Sequence, residues 1–141
     1  MSQIDFYILS NNDMEAKYLF ACRIAEKAYK KNHNIIIRTE NNELTQKIND
    51  QLWSFKDESF IPHKIIDDLN NASKKSIMIT APHQDKISDI LINLSNSINK
   101  KSDQFKRIIE IVTNDNEAKK EARLRFKKYR DMGHEVLSHN I

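Results

Sequence analysis

Residues 35–40 read IIIRTE, and three isoleucines stand side by side in this run. A strand with one solvated face alternates apolar and polar side chains, whereas an unbroken β-branched run indicates burial on both faces. Strands of that kind belong to parallel sheets that have helices packed on both sides. Residues 35–40 therefore predict a central strand of an α/β sheet.

The segments on either side of this run alternate between strand and helix patterns. Residues 4–9, IDFYIL, form a short β-prone run that ends in turn-forming residues. Apolar side chains then recur at the helical period from Met14 to Lys31, and Asp13 just before them predicts an N-cap. A second helical pattern covers residues 41–53. This order of strand, helix, strand and helix implies parallel strands joined by right-handed crossovers.

Strand patterns dominate the second half of the chain, with one long helix near its end. Strands are predicted at residues 76–81, 89–95, 107–112 and 134–140. The last two are separated by a predicted helix that begins at Asn114 or Asp115 and ends at Gly133, where we expect a positive φ. We therefore expect an α/β fold in one domain, residues 1–141, in which a mostly parallel sheet has helices on both faces.

The composition limits the class of protein. With 141 residues, 30% of them charged, and a mean hydropathy of −0.69, the chain suits one soluble domain. It has neither a run of about 20 apolar residues nor the basic-then-apolar start of a signal peptide. The single cysteine, Cys22, cannot form an internal disulfide. Together these features favour the reducing cytoplasm.

Several kinds of active site are excluded by what the sequence lacks. Gly133 is the only glycine, so neither a G-x-G-x-x-G dinucleotide loop nor a Walker A loop can be present. None of the five histidines has metal-ligand spacing, and Cys22 lies within a predicted helix, on or near its apolar face. We therefore predict no catalytic residues, no metal site and no cofactor. An enzyme of unrecognised type stays an unsupported alternative.

The last predicted helix carries the densest charge, KKEARLRFKKYR at residues 119–130. At about 100 degrees per residue, one stripe of this helix holds four cations, namely Lys119, Arg123, Lys127 and Arg130. Phe126 lies at the border between that stripe and the apolar face. Three interpretations remain open at this point: a solvated face, a surface for nucleic-acid phosphates, or a groove for an acidic peptide. The modest net charge of +3 slightly favours the peptide.

A second unusual stretch is LWSFKDESFIPH, residues 52–63. It holds the only Trp, two of the six Phe and one of the two Pro of the chain. Because it follows neither the helical nor the strand period, we predict a loop. Aromatic side chains concentrated in a loop either anchor a protein interface or cover the core of their own domain.

Four motifs, in order along the chain, resemble those of the chi subunit of bacterial DNA polymerase III. Residues 52–63 resemble the family pattern L-W-x-x-x-x-x-S-F-x-P-H, and residues 122–133, ARLRFKKYRDMG, resemble its A-R-x-R-(aromatic)-K-x-Y-R-x-x-G helix. DFYIL at residues 5–9 resembles its opening strand, and DILINLS at residues 89–95 its D-I-L-I-x-L segment. The resemblance therefore covers nearly the whole chain.

This resemblance implies a Rossmann-like three-layer α/β/α sandwich and an accessory subunit of the clamp-loader complex that is not an enzyme. It also implies a surface for the psi subunit, with a repair helicase as an alternative occupant. In this sequence the residues that match that surface are Trp53, Phe60, Pro62 and His63. Aromatic anchors of this kind often dominate the energy of an interface.

A second implied surface binds the acidic, Phe-terminated tail of single-stranded DNA-binding protein. The matching residues here are Lys119, Arg123, Phe126, Lys127 and Gly133, and Val112 and Val136 are expected to line the same pocket. His134 is expected to add a partial charge near pH 6.5. On this interpretation the protein contacts DNA only indirectly and binds no membrane. Direct binding of single-stranded DNA by the basic helix is the alternative function.

Overall fold

The computed structural model describes residues 2–54, 63–65, 77–80, 89–98 and 102–141. In these residues, seven strands form one sheet: β1 (Gln3–Ile8), β2 (Ile35–Arg38), β3 (His63–Ile65), β4 (Ile77–Thr80), β5 (Ile90–Asn93), β6 (Arg107–Val112) and β7 (Glu135–Asn140). The described α-helices are α1 (Met14–Lys30), α2 (Asn42–Ser54) and α3 (Asn116–Asp131), and a short 3-10 helix spans Ser102–Gln104. The strand order is β3-β4-β2-β5-β6-β1-β7, and each described pair is parallel.

The isoleucine run forms β2, between β4 and β5 in the sheet. Ile35 and Ile37 face one side and belong to the apolar core beneath α1 and α2, whereas Ile36 belongs to the core on the side of α3. All three side chains are at most 1% exposed. The prediction of a strand buried on both faces, and with it the α/β/α sandwich around a parallel sheet, is confirmed.

The two helices for which the sequence predicts an N-cap, α1 and α3, both begin at an aspartate. The Asp13 side chain accepts a hydrogen bond from the amide of Glu15 at the start of α1, as predicted. For α3, Asp115 rather than Asn114 is the N-cap, and its carboxylate accepts from the amide of Ala118. A side-chain acceptor at this position satisfies one of the amides that a helix start leaves unpaired.

The helix predicted at residues 41–53 is confirmed as α2, which ends at Ser54 with Leu52 buried in the core. Residues 55–62 of the predicted loop lie outside the described residues. His63, which was assigned to that loop, instead begins β3, which pairs with β4. A strand of three residues is too short to produce a recognisable alternation, so its pairing with β4 is a tertiary effect.

Helix α3 is fixed to the sheet through a completely buried carboxylate, that of Glu110 on β6. Arg125 donates to it through Nε at 3.1 Å, the Tyr129 hydroxyl donates at 2.8 Å, and the Asn93 amide donates at 2.7 Å. Burial raises the pKa of the Tyr129 phenol well above its usual value, so the hydroxyl keeps the proton that it donates. These bonds set which face of α3 points toward the sheet.

Helix α3 ends in a Schellman motif at Gly133. The Gly133 amide donates to the carbonyl of Arg130, and the His134 amide donates to that of Tyr129. Gly133 has a φ of 89°, which confirms the predicted positive φ at the helix end. The turn directs the chain from α3 into β7.

Replacing Glu110 by Ala should lower the free energy of unfolding by about 3–5 kcal/mol, because it leaves the buried Arg125 guanidinium without its anion. Tyr129→Phe removes one hydrogen bond and should cost about 1–2 kcal/mol. Urea unfolding followed by circular dichroism measures both. A Glu110→Ala protein within 1 kcal/mol of wild type would contradict the assignment of this carboxylate as the anchor of α3.

Replacing Gly133 by Ala should cost about 1–2 kcal/mol of stability, because a residue with a Cβ is strained at positive φ. A Cβ built on Gly133 has no atom within 4 Å, so the backbone conformation alone accounts for the cost. Met132→Ala is the matched control, since Met132 has an αR backbone and a side chain that is 51% exposed. Thermal unfolding should distinguish the two, and equal stability of the two variants would contradict the strain argument.

Candidate functional site

A groove of about 490 Å³ lies between α3 and the carboxyl ends of β1, β6 and β7, and we call it the α3 groove. Its floor is apolar and consists of Phe6, Ile8, Val112, Ala122 and Phe126. Its wall is cationic and consists of Lys119, Arg123, Lys127 and Arg130. Ser138 and Asn140 of β7 complete the lining.

The floor of the α3 groove is part of the core on that side of the sheet. Phe6 is 2% exposed, and its ring lies 5.4 Å from that of Phe126 and 6.0 Å from that of Tyr129, measured between centroids. Phe126 packs against the core but is only partly buried. One side of the Phe126 ring therefore packs on the buried core, and the other side is accessible from the groove.

The cations of the wall are free to meet an anionic ligand. Among the residues that the structure describes, none of the four forms an ion pair with a carboxylate; the α3 side chain that does is Arg125, paired with Glu110. Arg123, Lys127 and Arg130 are exposed, and Lys119 is partly buried. A row of unpaired cations beside an apolar floor can bind carboxylates next to an apolar side chain.

Five of the seven residues that were predicted for the tail surface line this groove: Val112, Lys119, Arg123, Phe126 and Lys127. Gly133 and Val136 lie outside the lining. Gly133 ends α3, and Val136 on β7 packs against the core beneath that helix. The structure thus brings the cations and the aromatic ring together and gives the two remaining residues supporting positions.

Apart from Val112, sequence reasoning missed the residues of the lining that come from strands. Phe6 and Ile8 of β1 and Ser138 and Asn140 of β7 each lie two residues apart, so each pair faces the same side of the sheet. The alternation was visible in the sequence. The pairing of β1 with both β6 and β7, which places these side chains under α3, was not.

His134 does not contribute charge to the α3 groove. It is buried, its Nδ1 accepts a hydrogen bond from the Ser2 amide at 3.1 Å, and it is not among the lining residues. Burial lowers the pKa of its imidazole, which is therefore neutral at pH 7. The partial charge that was expected from the sequence would require a solvated ring.

Of the four residues predicted for the psi surface, two lie within the described residues and two lie outside them. Trp53 belongs to the last turn of α2 and His63 is the first residue of β3, and for both of them the structure describes the backbone course. Phe60 and Pro62 lie outside the described residues. His63 lies in β3, at the opposite edge of the sheet from β7, and α2, which carries Trp53, packs against β3 and β4.

The described residues contain no cluster of three or more His, Cys, Asp or Glu side chains that could hold a metal ion. Burial raises the pKa of the Cys22 thiol to about 12, which makes it a poor nucleophile and agrees with its interpretation as a small core residue. No helix among these residues is long and apolar enough to cross a membrane.

Comparison with known proteins matches residues 1–137 to the family model described as DNA polymerase III chi subunit, HolC. The chain is 28% identical to the DNA polymerase III subunit chi of Pseudomonas aeruginosa, over all of this chain and 98% of the relative. It is 27% identical to the subunits of the same name from Haemophilus influenzae, over 96% of this chain and 95% of the relative, and Escherichia coli K12, over 94% of both. Because the family model spans nearly the whole chain, this protein belongs to the DNA polymerase III chi subunit family.

Proposed function

We propose that the protein is a non-catalytic accessory subunit of the DNA polymerase III clamp-loader complex. In this role it bridges the psi subunit to the acidic C-terminal tail of single-stranded DNA-binding protein during replication. The family membership supports the role in the replicase. The observation that carries the tail-binding part is the α3 groove, in which unpaired cations stand over an apolar floor.

The two halves of the α3 groove suit the two chemical parts of such a tail. Its carboxylates would meet Lys119, Arg123 and Lys127 through charge-assisted hydrogen bonds. The terminal aromatic ring would enter the apolar floor beside Phe126. Arg130, which was not among the residues predicted for the tail surface, stands in the same wall and would take a further carboxylate.

The same geometry favours a peptide over a nucleic acid at the α3 groove. Binding of single strands uses aromatic faces on which several successive bases stack. Here the Phe6 ring is buried beneath Phe126, so that Phe126 is the one partly exposed ring in the lining. A floor that accommodates one apolar side chain suits the end of a peptide better than a run of bases.

A bridging role needs two surfaces that can be occupied together. The α3 groove lies over β6, β1 and β7, whereas His63 lies in β3 at the other edge and α2, which carries Trp53, packs against β3 and β4. The strands beneath the groove lie four to six strand intervals from β3, which is roughly 19–29 Å at about 4.8 Å per interval. That separation supports simultaneous binding of two partners.

The tail-binding part is tested by titrating the protein with the peptide Asp-Asp-Asp-Ile-Pro-Phe at two salt concentrations. Arg123→Ala should raise the Kd about 10- to 100-fold, because a charge-assisted hydrogen bond contributes about 1.5–3 kcal/mol. Higher salt should weaken binding by the wild type, since the cationic wall is exposed and is screened. Isothermal calorimetry gives both values.

Lys120→Ala is the matched control for this titration. Lys120 is an exposed cation of the same helix that does not line the α3 groove, so its loss should change the Kd less than about threefold. Absence of saturable peptide binding would refute the tail site. If Arg123→Ala instead lost binding to oligo-dT, the basic helix would be a surface that binds nucleic-acid phosphates.

The psi-binding part predicts that Trp53→Ala and Phe60→Ala abolish binding to the psi subunit of the same organism. Truncation of an aromatic anchor at the centre of an interface costs about 2 kcal/mol or more of binding free energy. Both variants should bind the acidic peptide with wild-type affinity, which shows that the fold and the α3 groove are intact. Binding of psi is measured by size-exclusion chromatography or calorimetry. If both variants bound psi with wild-type affinity, this surface would not be the psi-binding surface.

A further inference from the structure

A second groove, of about 740 Å³, lies on the opposite face of the sheet, and we call it the α1 groove. It runs between α1 and strands β1, β5 and β6. Its floor contains Tyr7, Phe20, Ile24, Ile90 and Ile109, which all belong to the core on the α1 side. Five cations line it: Arg23, Lys27, Lys31, Lys106 and Arg107. Among the described residues, no Asp or Glu side chain is part of this lining.

Three of these cations form a row along α1 and its C-cap. Arg23, Lys27 and Lys31 are spaced four residues apart, so successive members rise about 6 Å along the helix axis. All three are exposed, and in the described part of the chain none of them has an ion-pair partner. The neighbouring Lys30, by contrast, is paired with Glu26. The row therefore presents regularly spaced positive charge to the groove.

The far wall of the α1 groove is more rigid. Arg107 donates through Nε to Asp5 at 2.7 Å and through its terminal nitrogen to the Tyr7 hydroxyl at 2.9 Å. Burial opposes ionisation of Asp5, but hydrogen bonds from His139 and Arg107 outweigh it and lower the pKa of this carboxyl. Lys106 lies 3.9 Å from Asp89. Two carboxylates thus neutralise this wall in part, and the free charge stays on the α1 row.

Aromatic rings lie between the two walls. The Tyr7 ring stacks on that of His139, with centroids 4.9 Å apart and an interplanar angle of 24°. Phe20 packs edge-on against Tyr7 at 5.6 Å. A small anion needs donors that converge on one point, whereas a linear polyanion needs charges repeated along a line beside apolar and aromatic surface. The α1 groove has the second arrangement, which is the one that single-stranded nucleic acids use.

We propose that the α1 groove binds single-stranded nucleic acid, with Arg23, Lys27 and Lys31 on successive phosphates and the bases toward the Tyr7 and Phe20 side. This site is separate from the α3 groove and needs no part of the proposed peptide binding. It would let the protein hold a DNA strand on one face of the sheet and a peptide on the other. An acidic protein segment could meet the same cations, but it has no bases to place against the Tyr7 and Phe20 rings.

The test is the binding of fluorescently labelled oligo-dT, followed by anisotropy over a range of salt concentrations. Neutralisation of three phosphates predicts a slope of about −2 for log K against log salt, at roughly −0.7 per phosphate of a single strand. The double variant Arg23→Glu/Lys27→Glu should weaken binding at least tenfold. Both side chains are exposed, and circular dichroism checks that the variant is folded.

The matched control is Lys120→Glu/Lys128→Glu, which changes the net charge equally. Both lysines are exposed on α3 and line neither groove, so this variant should keep oligo-dT affinity within about threefold of wild type. An equal loss in both double variants would mean that only net charge matters and would overturn the proposal. So would the absence of oligo-dT binding at low salt, or stronger binding of a poly-glutamate peptide than of oligo-dT.

The same proteins separate this inference from the peptide site. Arg23→Glu/Lys27→Glu should bind Asp-Asp-Asp-Ile-Pro-Phe like wild type, and Arg123→Ala should bind oligo-dT like wild type. Peptide binding without oligo-dT binding would refute the α1 groove alone. Oligo-dT binding that depends on Arg23 and Lys27, without peptide binding, would refute the tail site alone.

Discussion

The buried carboxylate of Glu110 is the contact on which the arrangement of α3 depends. It lies on β6 without solvent access and receives hydrogen bonds from Arg125 and Tyr129 of the helix. A buried anion of this kind is stable only when its donors stay in place. With Arg125 and Tyr129 directed inward, helical geometry leaves Phe126 at the margin of the core and Lys127 in solvent. The composition of the α3 groove follows from one charge inside the sheet.

Strand β1 contributes to both grooves because its side chains alternate between the two faces of the sheet. Phe6 and Ile8 form part of the floor under α3, and Tyr7 between them belongs to the floor beside α1. On one face the cation row of α3 lies beside β6, β1 and β7. On the other face the cation row of α1 lies beside β1, β5 and β6. A single parallel sheet thereby supports two basic grooves, one of about 490 Å³ beneath α3 and one of about 740 Å³ beside α1.

Local patterns were sufficient for most of the fold. The isoleucines of β2, the cap at Asp13 and the positive φ at Gly133 each depend on residues close in sequence, and the structure has all three as predicted. The three-residue strand β3 was missed because its formation depends on pairing with β4. Likewise, the choice of Asp115 over Asn114 as N-cap is decided by backbone geometry that two adjacent capping residues do not distinguish in sequence.

The sequence by itself determined the cation row of α3, the aromatic residue beside it and the absence of a glycine-rich nucleotide loop, since these depend on helical period and composition. Only the tertiary structure decided that Arg125 is directed inward to Glu110 while Arg123 and Arg130 stay in the groove wall. It also decided which strand residues form the groove floors and that Arg23, Lys27 and Lys31 line the same groove as the Tyr7 and Phe20 rings. The physical reason is that helical faces follow from contacts within a few residues. Strand order and the pairing of buried charges depend on contacts between distant parts of the chain.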